Sequence, residues 1–108
     1  MNLKPGDKNG LVVRSRCYLQ LGDPQAALDD ADEALSEDGD YFKGIYQKAE
    51  ALYAKGDFEM ALVFFHRGKT LRPELDDFRL GIQKAREAID TAIGSNLMII
   101  FTFRSKRV

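Results

Sequence analysis

Apolar residues recur along the chain at the spacing that places them on one face of an α-helix. In residues 42–55 this face falls at i, i+4, i+7 and i+8 and consists of Ile45, Ala49, Leu52 and Tyr53. A second face, within 58–71, consists of Phe58, Ala61, Leu62, Phe65 and Gly68. A third stripe follows in 74–93 and consists of Leu75, Phe78, Ile82, Ala85, Ile89 and Ala92. The pattern predicts an all-α fold.

The first half of the chain resembles the second at a fixed distance. Gly22-Asp23 recurs 34 positions later as Gly56-Asp57, and the small Ser15 corresponds to the small Ala49. Large apolar groups also stay in register, because Leu28 corresponds to Leu62 at the same distance. A period of 34 residues with small and large apolar positions in register is typical of a solenoid of helical hairpins.

Each Gly-Asp pair has the chemistry of a turn between two helices. Glycine adopts the left-handed conformation that ends a helix, and aspartate caps the N-terminus of the next one. Pro24 follows the first pair and suits the first position of a helix, where no N–H is needed. Pro73 follows Leu71 and is expected to stop the fourth helix. Gly94-Ser95 is expected to end the fifth helix, over 74–93.

Composition limits the chain to one small domain without a strong charge bias. It has 108 residues, and 16 basic side chains against 17 acidic ones argue against nucleic acid as the main partner, which requires a clustered basic surplus. The single cysteine, Cys17, excludes an intrachain disulfide and a multi-cysteine metal site. The first ten residues carry no secretory signal, and the longest apolar run, 97–101, is too short for a membrane-spanning helix, which needs about 20 residues.

No residue pattern in the sequence indicates catalysis. His66 is the single histidine, and no neighbouring motif supplies the nucleophile and orienting partner that a general base needs. Cys17 is expected to be a small buried apolar residue. Phosphate-binding glycine loops, paired metal ligands and nucleophile elbows are absent from the sequence. We therefore expect a protein that is not an enzyme and uses no cofactor and no metal.

The segment 23–40 is strongly acidic and contains no lysine or arginine. One interpretation is a solvated outer face of a helix. The other is an acidic surface that attracts a basic partner segment by long-range electrostatic steering.

The second copy resembles the tetratricopeptide repeat (TPR) family. Its residues at the signature positions of that family are Ile45, Lys48, Ala49, Leu52, Ala61, Phe65, Gly68 and Pro73. Ile45 replaces the usual tryptophan, and Lys48 and Arg14 stand where a leucine is usual. In the first copy Ala31 takes the place of the second aromatic residue. The resemblance implies a TPR-type solenoid of two helix pairs followed by a C-terminal capping helix.

In TPR arrays the first helices of successive repeats line a concave groove that holds a partner protein. By this resemblance, the groove residues of this chain are Asn9, Val12, Arg16, Leu19, Gln20, Lys43, Tyr46, Gln47, Glu50 and Tyr53. Packing alone is an equally good interpretation of the two tyrosines. A TPR subclass holds the C-terminal carboxylate of heat-shock chaperones through lysine and asparagine residues in this groove. The matching positions here are Val12, Arg16, Gln47, Asp77 and Gly81, and none carries the required residue.

Residues 56–89, together with 6–23, are similar to the amino-terminal TPR region of the TPR subunits of the outer dynein arm docking complex of motile cilia. The resemblance covers about residues 6–94 and implies a non-enzymatic adaptor that helps to anchor dynein arms to the axoneme. It also implies protein partners, among them docking-complex subunits, and a place in the cytoplasm at the ciliary axoneme, without nucleic acid or membrane. A generic TPR co-chaperone adaptor is one alternative. Others are a pentatricopeptide-type RNA binder, which needs a 35-residue period and a basic groove, and an enzyme with a separate catalytic domain.

The interpretation divides the chain into five segments. They are a leader at 1–7, repeats at 8–41 and 42–75, a capping helix at 76–94 and a non-repeat tail at 95–108. Because the family array has a further helix pair upstream, we expect a truncated array with apolar surface exposed around Leu11 and Val12. Two repeats and a cap lie below the about three repeats that a stable stack needs, so modest stability and self-association are expected. The run 97–103 is β-prone and indicates an aggregation liability.

Overall fold

The structure, a computed structural model, describes residues 7–106, with side chains described through residue 92. This part of the chain is helical and contains no strand, which confirms the all-α prediction. The five helices are α1 (Lys8–Gln20), α2 (Pro24–Glu37), α3 (Phe42–Ala54), α4 (Phe58–Leu71) and α5 (Asp76–Lys106).

The two predicted turns have the predicted chemistry. Gly22 and Gly56 adopt φ of +80° and +89°, the left-handed region in which a side chain is strained. Asp23 accepts from the backbone N–H of the third residue beyond it at 3.1 Å, and Asp57 does the same at 3.3 Å. Pro24 occupies the first turn of α2, and α4 ends at Leu71, ahead of Pro73. The four interior boundaries of the two hairpins therefore follow from local sequence.

The helices pack as successive hairpins. Helix α1 packs on α2 and α3 packs on α4, while α3 also contacts α1, α2 and α5. The main core lies where α3, α4 and α5 meet and consists of Ile45, Ala49, Leu52, Ala61, Phe65, Phe78, Ile82 and Ala85. A smaller cluster of Leu11, Val12 and Ala34, with Tyr41 against it, joins the first hairpin to the start of α3. This nesting is the arrangement that the 34-residue period predicts.

Two glycines allow α4 and α5 to approach each other closely. A Cβ at Gly68 would overlap the ring of Phe78, and a Cβ at Gly81 would overlap the ring of Phe65. Each phenylalanine is fully buried against the glycine of the opposite helix. Gly68 on α4 and Gly81 on α5 therefore have the same packing reason.

Helix α5 is longer than the sequence predicts. It continues through Gly94 and Ser95 to Lys106, so the expected end at this pair is wrong. A glycine inside a helix costs only about 0.5–1 kcal/mol relative to alanine, which is too little to end a helix by itself. Leucine and methionine in the following run are also good helix formers. Residues 1–6 and 107–108 and the side chains of the apolar 97–103 run lie outside the described residues.

Two predictions about exposure are also wrong. Leu11 and Val12 are 5% and 1% exposed, because Ala34 of α2 and Tyr41 cover them. The apolar surface offered as the reason for self-association is therefore absent from these two positions. Cys17 is exposed rather than buried, and it does not line the groove described below.

Candidate protein-binding groove

Helices α1, α3 and α5 lie side by side and enclose a cavity of about 340 Å³. Its walls come from all three helices and from the residues that precede α5. The lining residues are Asn9, Val12, Val13, Arg16, Phe42, Lys43, Tyr46, Gln47, Leu75, Asp77 and Phe78. Residues 34 positions apart occupy equivalent places in the two hairpins. The first helix of each hairpin, α1 or α3, therefore contributes one wall of the cavity.

Of the ten residues assigned to the groove from the sequence, six line this cavity. They are Asn9, Val12, Arg16, Lys43, Tyr46 and Gln47. The remaining four, Leu19, Gln20, Glu50 and Tyr53, lie one or more helical turns further along α1 and α3 and do not line it. The binding role of all ten remains a prediction.

The apolar floor of the groove is built around Tyr46. Its ring contacts Phe65 and Phe78 edge-on, with centroids 6.0 and 5.8 Å away. Burial, reinforced by the nearby Glu50 carboxylate, raises the pKa of Tyr46 to about 12. The phenol is therefore neutral at physiological pH, with a rigid ring and a polar tip.

The rim of the groove carries charges of both signs. Arg16, Lys43 and Asp77 are exposed, and none of them forms an ion pair with another described side chain. Gln47 is only 3% exposed, and its Oε1 lies 3.3 Å from the Ser15 hydroxyl, which donates to a backbone carbonyl of α2. Such a groove offers free charge at the edge and apolar surface at the base.

The far end of the same surface is closed by an ion pair. Lys84 of α5 donates to Glu50 at 2.6 Å, and its ammonium lies 4.6 Å from the centroid of the Tyr53 ring. Tyr53 also packs edge-on against Phe58, at 5.0 Å between centroids. Glu50 and Tyr53 therefore have structural partners within the chain, which agrees with the packing interpretation of Tyr53.

Sequence reasoning missed several lining residues. Val13 stands 34 positions before Gln47, so the repeat itself carried the signal that could have identified it. Phe42, at the start of α3, was assigned to no face, and Leu75 and Phe78 were assigned to the stripe of the capping helix. Leu75 and Phe78 line the groove because α5 occupies the place that the first helix of a third repeat would take.

Three of the eight acidic residues in 23–40 form ion pairs with basic residues of α1 and α3. Asp30 accepts two hydrogen bonds from Arg14, both at 2.7 Å, and Asp32 pairs with Lys48 at 2.7 Å. Lys8 donates to Asp38 at 2.9 Å and lowers the pKa of that carboxyl. These pairs join α2 to α1 and to α3. The two basic residues at usual leucine positions, Arg14 and Lys48, are thus partners for α2.

The described residues hold no group of three or more side chains suited to a metal ion. None of the described helices has an apolar stretch long enough to cross a lipid bilayer. His66 lies exposed on α4.

The chain is similar in sequence to a group of curated proteins and similar in fold to a solved structure. It is 60% identical over 95 residues to outer dynein arm-docking complex subunit 4 of Xenopus laevis, a match that covers 88% of this chain and 18% of that protein. The protein of the same name from Danio rerio is 64% identical over 95 residues, with 88% and 20% covered. The chain thus spans a fifth or less of the length of these relatives. No protein-family model matches the sequence.

Among solved structures, the chain is similar to the first TPR of Spaghetti (RPAP3) bound to the HSP90 peptide SRMEEVD. The TM-score is 0.75 at 21% identity, and the match covers 80% of this chain and 68% of that one. This likeness confirms the TPR-type fold. The chain is therefore a TPR-type helical repeat whose sequence resembles, over most of its length, a segment of proteins named outer dynein arm-docking complex subunit 4.

Proposed function

We propose that this chain is a non-enzymatic protein-interaction scaffold that acts in outer dynein arm docking or assembly at the axoneme of motile cilia. The observation that carries the proposal is the identity of about three residues in five with docking-complex subunits over 95 residues. Because the match covers a fifth or less of those proteins, the function of the whole protein is part of the proposal. The mechanism is equilibrium binding without a chemical step.

The groove supplies the physical means for such binding. The accessible apolar lining, formed by Val13, Phe42, Tyr46 and Leu75, can take a side chain of a partner peptide or helix and remove it from water. The exposed Arg16 and Lys43 at the rim can pair with acidic groups of the partner, while Asp77 repels them nearby. The partner is therefore a protein segment with an apolar side chain that enters the groove and with charged side chains beside it, acidic ones near Arg16 and Lys43.

A co-chaperone adaptor is the second candidate, because the solved relative binds a chaperone peptide. The five positions that would form its carboxylate clamp argue against it. Asp77 has the wrong sign beside a peptide carboxylate, and Gly81 is buried against Phe65. We expect no binding of the peptide SRMEEVD in a calorimetric titration, and saturable binding would favour the co-chaperone function.

The docking proposal is tested with charge variants of the groove rim. The tagged chain and its Lys43→Glu and Arg16→Glu variants are expressed in ciliated cells, and recovery of docking-complex subunits is quantified by mass spectrometry. Arg67→Glu is the matched control, because Arg67 is exposed on α4 outside the groove. We expect the rim variants to recover several-fold less and the control to match the unchanged chain. Equal recovery with all four chains, or none with the unchanged chain, would contradict the proposal.

A further inference from the structure

One face of α5 carries polar and charged residues at the positions where the equivalent face of α3 carries apolar residues. Thirty-four positions after Ile45, Ala49 and Leu52, which are buried in the core, α5 carries Arg79, Gln83 and Arg86. All three of these α5 residues are exposed. This face of α5 therefore offers charge and amide groups at the positions where α3 offers apolar contacts.

These residues form part of a second cavity, of about 290 Å³, between α4 and α5. Its lining residues are Lys69, Arg79, Ile82, Gln83, Arg86 and Glu87. Arg79 has an exposed pairing with Asp76 at 3.5 Å, and Gln83 donates to Glu87 at 3.3 Å. Lys69 and Arg86 form no ion pair with another described side chain. We name this surface the α4–α5 face; its three basic side chains, Lys69, Arg79 and Arg86, outnumber its one acidic side chain, Glu87.

The exposed side of α2 carries the complementary charge. On α2, Asp29, Glu33 and Glu37 are spaced i, i+4 and i+8, and all three are exposed. They form a stripe about 12 Å long, while Arg79 and Arg86 span about 10 Å of α5. Glu33 and Glu37 form no ion pair with another described side chain, whereas Asp30 and Asp32 of the same helix do. We name this surface the α2 stripe.

We propose that the α4–α5 face binds the α2 stripe of a second copy of this chain. The argument is the match in sign and length between these two surfaces, in which Lys69 and Arg86 on one and Glu33 and Glu37 on the other form no ion pair with another described side chain. Because the two surfaces differ, the contact is head-to-tail and leaves one free surface of each kind at the ends of every open assembly. Growth therefore continues beyond a dimer as concentration rises. This proposal goes beyond partner binding in the groove and does not depend on it.

Such a contact is weak and sensitive to salt, because exposed ion pairs are screened. Sedimentation equilibrium of the 108-residue chain at about 0.5 mM measures it in the concentration range of weak association. We expect association in about 20 mM NaCl to weaken at least about tenfold in about 300 mM NaCl. Association that salt leaves unchanged, or a chain that stays monomeric in low salt, would overturn the proposal.

Charge exchange tests the two surfaces directly. The variant R79E/R86E makes the α4–α5 face acidic, and E33R/E37R makes the α2 stripe basic. Each variant alone is expected to be monomeric, while an equimolar mixture associates, because each then presents a surface that complements the other. Unchanged association of either variant alone, or a mixture that stays monomeric, would contradict the contact. The single change Arg86→Glu is compared with Arg67→Glu, which alters the same charge outside the face and leaves association intact.

Two further results complete the test. Circular dichroism must show native helicity for every variant, which is expected because all substituted residues are exposed. A synthetic peptide with the sequence of residues 24–37 is then titrated against the monomeric E33R/E37R variant. If E33R/E37R binds the peptide and R79E/R86E does not, the α4–α5 face is the surface that binds α2. The unchanged chain could also bind this peptide and yet never self-associate. That result would show that the α4–α5 face binds a different acidic partner, and it would overturn the proposal that a second copy of the chain binds there.

Discussion

The two hairpins share one backbone plan but are held together by different interactions. In the second, the α3–α4 interface is aromatic and aliphatic, with Phe65 fully buried between α3, α4 and α5. In the first, the position equivalent to Phe65 is Ala31, and the hairpin depends on alanines and on the ion pair between Arg14 and Asp30. The second hairpin is therefore held by large apolar side chains, and the first by close contacts between small residues and a partly buried ion pair.

One pair of equivalent positions shows the difference most clearly. Arg14 and Asp30 face each other in the first hairpin as a bidentate ion pair. Thirty-four residues later the same two places hold Lys48 and Phe64, and the ammonium lies 4.5 Å from the ring centroid. The cation at this position of the repeat thus contacts a carboxylate in the first hairpin and an aromatic ring in the second. Departure from the usual leucine has a structural cause in both copies.

The largest expected effect comes from making the second hairpin resemble the first at its core. Phe65→Ala should lower the free energy of unfolding by about 3–5 kcal/mol, because it leaves a cavity against Tyr46 and Phe78. Urea unfolding followed by circular dichroism measures the loss. Val63→Ala, on the exposed side of the same helix, is the control and should change stability by less than about 0.5 kcal/mol. A loss below about 1 kcal/mol for Phe65→Ala would contradict the account of the core.

The next effect concerns the glycines that bring α4 and α5 together. Gly68→Ala favours the helix intrinsically but should destabilise the chain by about 1–3 kcal/mol, because the added methyl overlaps the Phe78 ring. The matched control is Gly39→Ala, in the turn between the hairpins, where an added Cβ meets nothing closer than 3.9 Å. Thermal unfolding should show a lower Tm for the first variant and little change for the second. An equal or raised Tm for Gly68→Ala would show that the helices separate without cost.

The two cationic positions should respond differently to loss of charge. Arg14→Leu leaves Asp30 buried without its partner and should cost about 1–3 kcal/mol of stability. Lys48→Leu should cost at most about 1 kcal/mol, since its carboxylate partner Asp32 stays half exposed to water. Urea unfolding of both variants gives the comparison. Equal losses would show that burial of the acid does not distinguish the two hairpins.

The smallest effect is a pH dependence confined to the second hairpin. Burial raises the pKa of Tyr46 to about 12, so this phenol stays protonated in the folded chain after it has ionised in the unfolded one. Its contribution to stability is present below about pH 10 and is lost as pH rises toward 12. Ultraviolet absorbance of phenolate should show a step near pH 12, and Tyr46→Phe should remove that step. A step near pH 12 that Tyr46→Phe leaves unchanged, or the absence of any such step, would contradict the burial of Tyr46.

Much of the fold could be predicted because its signals are local. The left-handed Gly22 and Gly56, the capping aspartates that follow them and the stop before Pro73 depend on a few neighbouring residues. The end of α5 could not be predicted in this way, because one glycine is too weak a signal against helix-forming neighbours. The burial of Leu11 depends on contact with another helix, which local sequence does not show.

The groove could be predicted only in part. The resemblance to TPR arrays identified the walls from α1 and α3, including Val12 and Tyr46. The wall from Leu75 and Phe78 was missed, because α5 was treated as a cap and not as the first helix of a further repeat. Glu50 was assigned to binding but pairs with Lys84, and such a tertiary ion pair leaves no periodic trace in the sequence.

Photocrosslinking in ciliated cells tests the proposed binding groove most directly. A benzophenone amino acid replaces Lys43 at the groove rim in one chain and Arg67 on α4 in another, both of which are exposed. The account predicts a covalent adduct with an outer dynein arm-docking complex subunit from position 43 and none from position 67. Adducts from position 67 alone, or equal adducts from both positions, would contradict it.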